Sequence, residues 1–123
     1  MIQVVDGIIY LVRGDSESLP VNVLKNKTES YQLGEGEFLR LIVRKLPNET
    51  AELLFVAESN PGSDQIIIPS EATAGKEPGK YSAAIRLIDG NGDKRTIWPD
   101  NTTVKPDDEK SFNNFYLTPE VTE

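Results

Sequence analysis

The side chains of Asp89, Asn91 and Asp93 are the first candidates for chemistry, because they follow the alternating pattern that opens an EF-hand calcium loop. The rest of that pattern is missing, since its sixth position is Lys94 instead of glycine and its twelfth is Asp100 instead of glutamate. The run that begins at Asp89 also carries glycine and asparagine, which accept the positive φ angles of a chain reversal. The sequence therefore favours a bare turn here, and we predict no metal ligand.

The tripeptide Arg13-Gly14-Asp15 is a second candidate, because integrins recognise this combination. Three residues recur by chance, and a glycine flanked by charged residues is typical of a tight turn. We therefore interpret the segment as a turn in which Asp15 or Ser16 accepts hydrogen bonds from nearby backbone amides.

A set of aromatic residues offers a third possibility, since aromatic rings stack on the C–H surfaces of sugars. The competing interpretation, which we favour, is that these rings pack in the core or along sheet edges. The set consists of Tyr31, Trp98, Phe112, Phe115 and Tyr116.

Two further motifs are assigned no chemistry. The carboxylates of 107–109 lie beside Lys110, which is typical of a solvated loop. Asn26, Asn48 and Asn101 each begin a glycosylation acceptor pattern, which matters only for a chain secreted by a eukaryote.

The composition argues against catalysis. The chain of 123 residues has no histidine and no cysteine, which removes the commonest general base, the commonest zinc ligands and a thiol nucleophile. No phosphate-binding glycine loop, nucleophile elbow or acid pair across a cleft is recognisable. We predict that the protein is not an enzyme, that it uses no cofactor and that it has no catalytic, cofactor-binding or metal-ligating residue. A small-molecule ligand is not expected.

The charge limits the partners. A net charge of −7 and a pI near 4.6 argue against nucleic acid and against an anionic membrane surface, because phosphates need a basic stripe. No apolar run approaches the roughly 20 residues that span a bilayer. The N-terminal stretch is interrupted by Asp6 and Gly7 and has no basic start, so we expect no signal peptide and synthesis in the cytoplasm.

The segment from Pro78 to Trp98 is predicted to be a β-hairpin that organises the fold. Apolar residues recur at every second position of its first arm, which is the period of a half-buried strand. The second arm is β-branched and aromatic and stops at Pro99. The inward-facing positions of the first arm are Tyr81, Ala83, Ile85 and Leu87.

The same alternation predicts the other strands. Phe38 to Leu46 places Leu39, Leu41 and Val43 on one face and Arg40 and Arg44 on the other. Glu52 to Glu58 is predicted to return with Leu53, Phe55 and Ala57 inward, with a helix as the competing prediction. Pro20 lacks an amide hydrogen, so the strand with Leu19, Val21 and Val23 is predicted at a sheet edge. Further strands are predicted at 8–12, 66–68 and 112–117, and residues 8, 10 and 12 are expected to share one face. A loop with a short pairing near 31–33 is also predicted.

The pattern as a whole predicts an all-β domain. The only expected helix is one turn after Ser70, which is placed to cap it. About eight short strands with turns every 8–12 residues are typical of an antiparallel, immunoglobulin-like β-sandwich, with a closed barrel as the alternative. We predict a single β-sandwich domain over 1–118 and a short tail over 119–123.

Several segments in order resemble a domain of phage and prophage tails. The resemblance begins with strand 8–12, the turn 13–16 and Leu19-Pro20-Val21-Asn22-Val23, and includes 41–45. It continues through Ile67-Ile68-Pro69-Ser70-Glu71-Ala72-Thr73-Ala74-Gly75, 78–81, 85–87 and 92–97. Together these segments resemble the N-terminal domain of the baseplate upper protein of siphophages that infect Gram-positive bacteria.

The resemblance implies a small β-sandwich that docks onto a phage tail. The larger members continue into stalks or receptor-binding domains that this sequence does not contain, so a docking role is implied instead of host recognition. We therefore expect a non-catalytic tail or baseplate structural protein of the virion, partnered by other tail proteins and by copies of itself, with 19–23 or 112–117 as pairing edges. The alternative is a carbohydrate-binding or adhesin-type β-sandwich.

Overall fold

The computed structural model describes residues 2–5, 7–23, 29–46, 51–98 and 114–119. Within these residues the chain forms nine β-strands and one 3-10 turn, Ser70–Ala72. The all-β prediction is therefore confirmed. The strands are β1 (Ile2–Val5), β2 (Ile8–Val12), β3 (Glu17–Pro20), β4 (Phe38–Arg44), β5 (Leu53–Ser59), β6 (Gln65–Ile68), β7 (Gly79–Ile88), β8 (Lys94–Trp98) and β9 (Phe115–Thr118).

The strands form one continuous sheet in the order β1-β2-β9-β7-β4-β5-β6-β3, and β8 pairs with β7 beside this path. The two ends of the path, β1 and β3, approach each other, so the sheet is a nearly closed barrel. An immunoglobulin-like sandwich is not confirmed. All described pairs are antiparallel except β2 with β9, which is parallel.

The predicted hairpin is present as β7 and β8, which join through the turn at 89–93. β7 is also the strand with most neighbours. Along one edge, the first residues of β7 pair with β9 and its later residues pair with β8. Along the other edge, seven residues of β7 pair with β4. The hairpin therefore does organise the sheet.

The core lies inside the curved sheet and is built from alternate residues of the strands. Phe115 and Phe55 meet edge to face at its centre, with ring centroids 5.7 Å apart. β2 contributes Ile9 and Leu11, whereas residues 8, 10 and 12 share the half-buried outer side. The central strands contribute Leu39, Leu41, Val43, Ala57, Tyr81, Ala83, Ile85 and Leu87, as predicted for the hairpin and for β4.

β5 is a strand, which confirms that prediction over the helix, but one of its inward positions was predicted wrongly. Leu53 is 44% exposed, and Leu54 packs against the core instead. The cause is a register shift between Val43 and Arg44, where the residue pairing steps from Phe55 to Leu53. A bulge of this kind moves the side chains beyond it to the opposite face.

The two ends of the described chain differ from the sequence-based prediction. β1 was not predicted, and it pairs with β2 through a turn at Gly7, whose φ is 76°. β9 was predicted within 112–117 as a possible free edge, but it lies between β2 and β7 and has no free edge. β3, which contains Pro20, does end the sheet as predicted.

The single helical turn after Pro69 is confirmed, but the predicted cap is wrong. The N-cap position is Pro69, and no side-chain hydrogen bond caps the turn. The backbone carbonyl of Ser70 accepts from Thr73 and Ala74 instead.

Candidate functional site

The outer face of the central strands brings together side chains that no single segment predicts. Cross-strand pairing places Arg40 of β4 opposite Arg86 of β7 and Glu58 of β5. Glu58 is in turn opposite Ile67 of β6. In the neighbouring row, Ile42 of β4 lies opposite Val56 of β5 and Ala84 of β7. These residues and Arg44 complete a surface that we call the arginine face. It consists of Arg40, Ile42, Arg44, Val56, Glu58, Ile67, Ala84 and Arg86.

Two arginines of the arginine face are held in place by contacts. Arg40 donates from Nε to Glu58 Oε2 at 2.7 Å, and its guanidinium lies 5.6 Å from the centroid of the Phe38 ring. Arg44 donates from Nη1 to the backbone carbonyl of Ala51 at 3.0 Å. Side chains held in this way lose less conformational entropy when a partner binds.

The arginine face also exposes apolar side chains. Val56 is 41% exposed and Ile67 is 46% exposed, and both lie beside Glu58. Arginine is enriched at protein–protein interfaces, and exposed apolar side chains are removed from water when another surface covers them. The arginine face therefore combines positive charge with exposed apolar side chains on one side of the sheet.

The turn at Arg13-Gly14-Asp15 is tied to the rest of the fold. Arg13 donates from Nη1 to the Lys76 carbonyl at 3.0 Å, and the Gly14 amide donates to Oγ1 of the buried Thr73 at 2.9 Å. Asp15 donates from its backbone amide to the Val12 carbonyl. These contacts agree with the predicted turn. The side chain of Arg13 takes part in them through its hydrogen bond to Lys76.

The turn at 89–93 uses its carboxylate for its own backbone. Asp89 Oδ1 accepts from the amides of Asn91 at 2.8 Å and Asp93 at 3.0 Å. This is an Asx-turn arrangement, and it agrees with a bare turn. Over the described ranges, no group of three or more histidine, cysteine, aspartate or glutamate side chains is placed to hold a metal ion.

The candidate aromatic residues do not form one surface. Phe115 lies in the core, Tyr116 stacks on Tyr10 with centroids 5.8 Å apart, and Tyr31 donates to Glu37 at 2.6 Å. Core and edge packing is the arrangement that these three residues show. Some of the candidates lie outside the residues that the structure describes. They are the Trp98 side chain, Phe112, the carboxylates at 107–109 and the asparagines at 26, 48 and 101.

Three loops meet at one end of the barrel and form a surface that we call the acidic loop end, 34–37, 60–64 and 89–93. The Gly62 amide donates to the Glu37 carbonyl at 2.7 Å, and a Cβ on Gly36 would lie 4.0 Å from Gly90 Cα. Glu37 Oε1 accepts from the Gly34 amide and the Tyr31 hydroxyl, both at 2.6 Å. The hydrogen bond from Tyr31, followed by that from Gly34, lowers the pKa of Glu37, and the same bond raises the pKa of Tyr31.

Free strand edges are a second feature of the surface. In the part of the chain that the structure describes, β1, β3 and β8 each pair on one side only. β3 carries Glu17 and Pro20, which discourage pairing with another chain, whereas β1 has neither charge nor proline. Val4 and Val5 of β1 are 54% and 50% exposed.

Comparison with protein-family models, with curated proteins and with solved structures gave no match. Among the described residues, no helix is long and apolar enough to cross a membrane. The described residues define an all-β domain whose outer face carries arginines and exposed apolar side chains.

Proposed function

We propose that this chain is a non-catalytic structural module of a phage or prophage tail or baseplate, and that it acts by protein–protein assembly. The observation that carries the assembly role is the arginine face, where held arginines lie beside exposed Val56 and Ile67. The resemblance of the ordered segments between 8 and 98 to baseplate upper proteins supports the tail as the setting. We include in the proposal a location in the virion and partners among the other tail proteins.

An immunoglobulin-like arrangement in two layers is the finer fold that this proposal implies. One layer would contain β2 and β9 and the other β4, β5 and β6, with β7 shared between them because it pairs with both β9 and β4. An experimental structure of the assembled particle tests whether the barrel flattens into such layers.

Mass spectrometry of particles released by the strain that carries the gene tests the function. The particles are purified through a density gradient, and the expected result is the chain at constant stoichiometry to the tail proteins, with immunogold label at the tail tip. Recovery of the chain from the lysate but never from the purified particles would contradict the proposal.

Carbohydrate binding remains the alternative function, and one pair of residues favours it. Tyr10 and Tyr116 are stacked, half-buried and on the outer side of the sheet, so they offer one small aromatic platform. A glycan array with and without calcium tests this alternative. Binding that is lost in Tyr116→Ala would support it, and an empty array would remove it.

A further inference from the structure

Among the described strands, basic side chains are concentrated on the outer side of the sheet. The sequence holds 20 acidic and 13 basic residues, yet three of its five arginines lie on the arginine face. Alternation along β7 and pairing with β8 add Lys80 and Lys94 to the same side of the sheet. Among the described strand residues of this side, Glu58 is the one acidic side chain.

The acidic loop end has the opposite character. Its three loops contain no lysine or arginine, although Arg95, two residues beyond the last loop, acts electrostatically on Glu37. The loops bring five carboxylates to one end of the barrel, Glu35, Glu37, Asp64, Asp89 and Asp93. Glu37 and Asp89 are used inside the loops, as described above. Glu35, Asp64 and Asp93 are exposed, so they remain available to a partner.

We propose that the arginine face of one copy binds the acidic loop end of a second copy. This inference deepens the proposed assembly function and rests on it, because it names the partner. Arginine and carboxylate form charge-assisted hydrogen bonds that are stronger than neutral ones. Val56 and Ile67 supply the apolar contact area between the charges.

The two surfaces are different parts of the molecule, which sets the symmetry of the contact. A contact between unlike surfaces is heterologous, so each copy keeps one unused surface and further copies can add. Such contacts generate a ring when the rotation closes and a filament when it does not.

The strand edge of β1 offers the competing arrangement. Its exposed Val4 and Val5 and its lack of charge would allow two copies to pair through the same strand about a two-fold axis. That contact is isologous and stops at a dimer. It has no charge complementarity, so salt would not weaken it.

The experiment uses the full chain and measures mass by light scattering after size exclusion, over protein concentrations up to about 1 mM. Two ionic strengths are compared, about 0.01 M, where charges act over about 30 Å, and about 0.15 M, where they act over about 8 Å. The face variant is Val56→Glu with Ile67→Glu, and the end variant is Glu35→Lys with Asp93→Lys. All four side chains are exposed, so the fold is expected to tolerate the changes.

Each variant has a matched control. Val4→Glu with Val5→Glu places the same charges on the exposed β1 edge, and Glu71→Lys with Glu77→Lys makes the same reversal on exposed glutamates outside the acidic loop end. Circular dichroism checks that every variant folds. If the face variant unfolds, Arg44→Glu replaces it.

The expected result is growth of the wild-type mass with concentration at low salt and loss of that growth at about 0.15 M. The face variant and the end variant are each expected to stay monomeric, and both controls are expected to assemble. Mixing the face variant with the end variant is expected to give a 1:1 dimer that grows no further, because each species supplies one intact surface.

Three results would overturn the inference. They are a wild-type chain that stays monomeric at all concentrations, a mixture of the two variants that stays monomeric, and assembly that only the β1 control abolishes. A chain that is monomeric alone but present in purified particles would remove this contact and leave the proposed tail function standing.

Discussion

Replacing the buried Asn114 with alanine is expected to destabilise the fold strongly. The buried Asn114 side chain accepts from the Ala83 amide at 2.7 Å and donates to the Ala83 carbonyl at 2.9 Å. The Asn114 side chain therefore takes the place of a neighbouring strand for the backbone of Ala83. This position lies between the residues of β7 that pair with β9 and those that pair with β8. Ala83 is 3% exposed, so alanine at 114 leaves its amide and carbonyl without partners.

The magnitude follows from the two lost bonds. An unsatisfied buried polar group costs about 1–3 kcal/mol, so Asn114→Ala is expected to lower the free energy of unfolding by about 2–6 kcal/mol. This loss is a large part of the free energy of unfolding of a typical domain, which is roughly 5–15 kcal/mol. Urea unfolding followed by circular dichroism measures it, with the exposed Asn60→Ala as control at within about 0.5 kcal/mol.

An aspartate at the same position gives a sharper test. Its carboxylate would place an oxygen against the Ala83 carbonyl, whereas its protonated form can donate there as the amide does. The folded pKa of this aspartate would therefore be raised, so its stability contribution is present below the unfolded value of about 3.9 and is lost as the pH rises through the folded value. A loss below about 0.5 kcal/mol in Asn114→Ala, or a pH-independent difference in Asn114→Asp, would refute the reasoning.

Three further changes test other parts of the structure by the same unfolding assay. Thr73→Val removes the buried hydroxyl that accepts from the 13–16 turn and is expected to cost about 1–2 kcal/mol, whereas Thr73→Ser keeps the bond; equal losses would contradict the bond's role. Leu54→Ala is expected to cost about 1–2 kcal/mol and Leu53→Ala less than about 0.5, and the reverse order would contradict the bulge. Because the folded pKa of Glu37 is lowered, its contribution is present above the ordinary glutamate pKa of about 4.3 and is lost as the pH falls through the folded value. Glu37→Gln is therefore expected to lose less stability than the wild type between about pH 6 and pH 3, and parallel curves would contradict that origin.

Sequence pattern was sufficient where the signal is local. The alternation in β4 and β7 predicted which residues face the core, because a strand has a period of two whatever its neighbours are. The same rule failed at Leu53, since the bulge beside Arg44 changes the face and leaves no mark in the sequence. β1 was missed because Ile2–Val5 shows no clear alternation of apolar and polar residues.

The order of the strands in the sheet could not be predicted from the sequence pattern. Arg40 and Arg44 were assigned to the face opposite the core, and the alternation of the first hairpin arm implies the same face for Arg86. That the three meet depends on β4 lying beside β7. The insertion of β9 between β2 and β7 depends on pairing across most of the chain, and Asn114 is typical of a loop when taken alone. The arginine face and the buried amide could therefore be recognised only once the sheet order was known.

The parallel pairing of β2 with β9 has a consequence for how the chain folds during synthesis. The hydroxyl of Thr118 donates to the carbonyl of Leu11, a contact between residues 107 positions apart. At a translation rate of about 5–20 residues per second, β2 waits on the order of 5–20 s for its partner, whereas a hairpin such as β7–β8 forms in about 1–10 μs. During that interval Ile9 and Leu11 lack the neighbouring strand that covers them in the finished sheet. β9, which joins β2 to β7, is thus the last of the described strands to be synthesised, and the nascent chain is exposed to aggregation until it pairs.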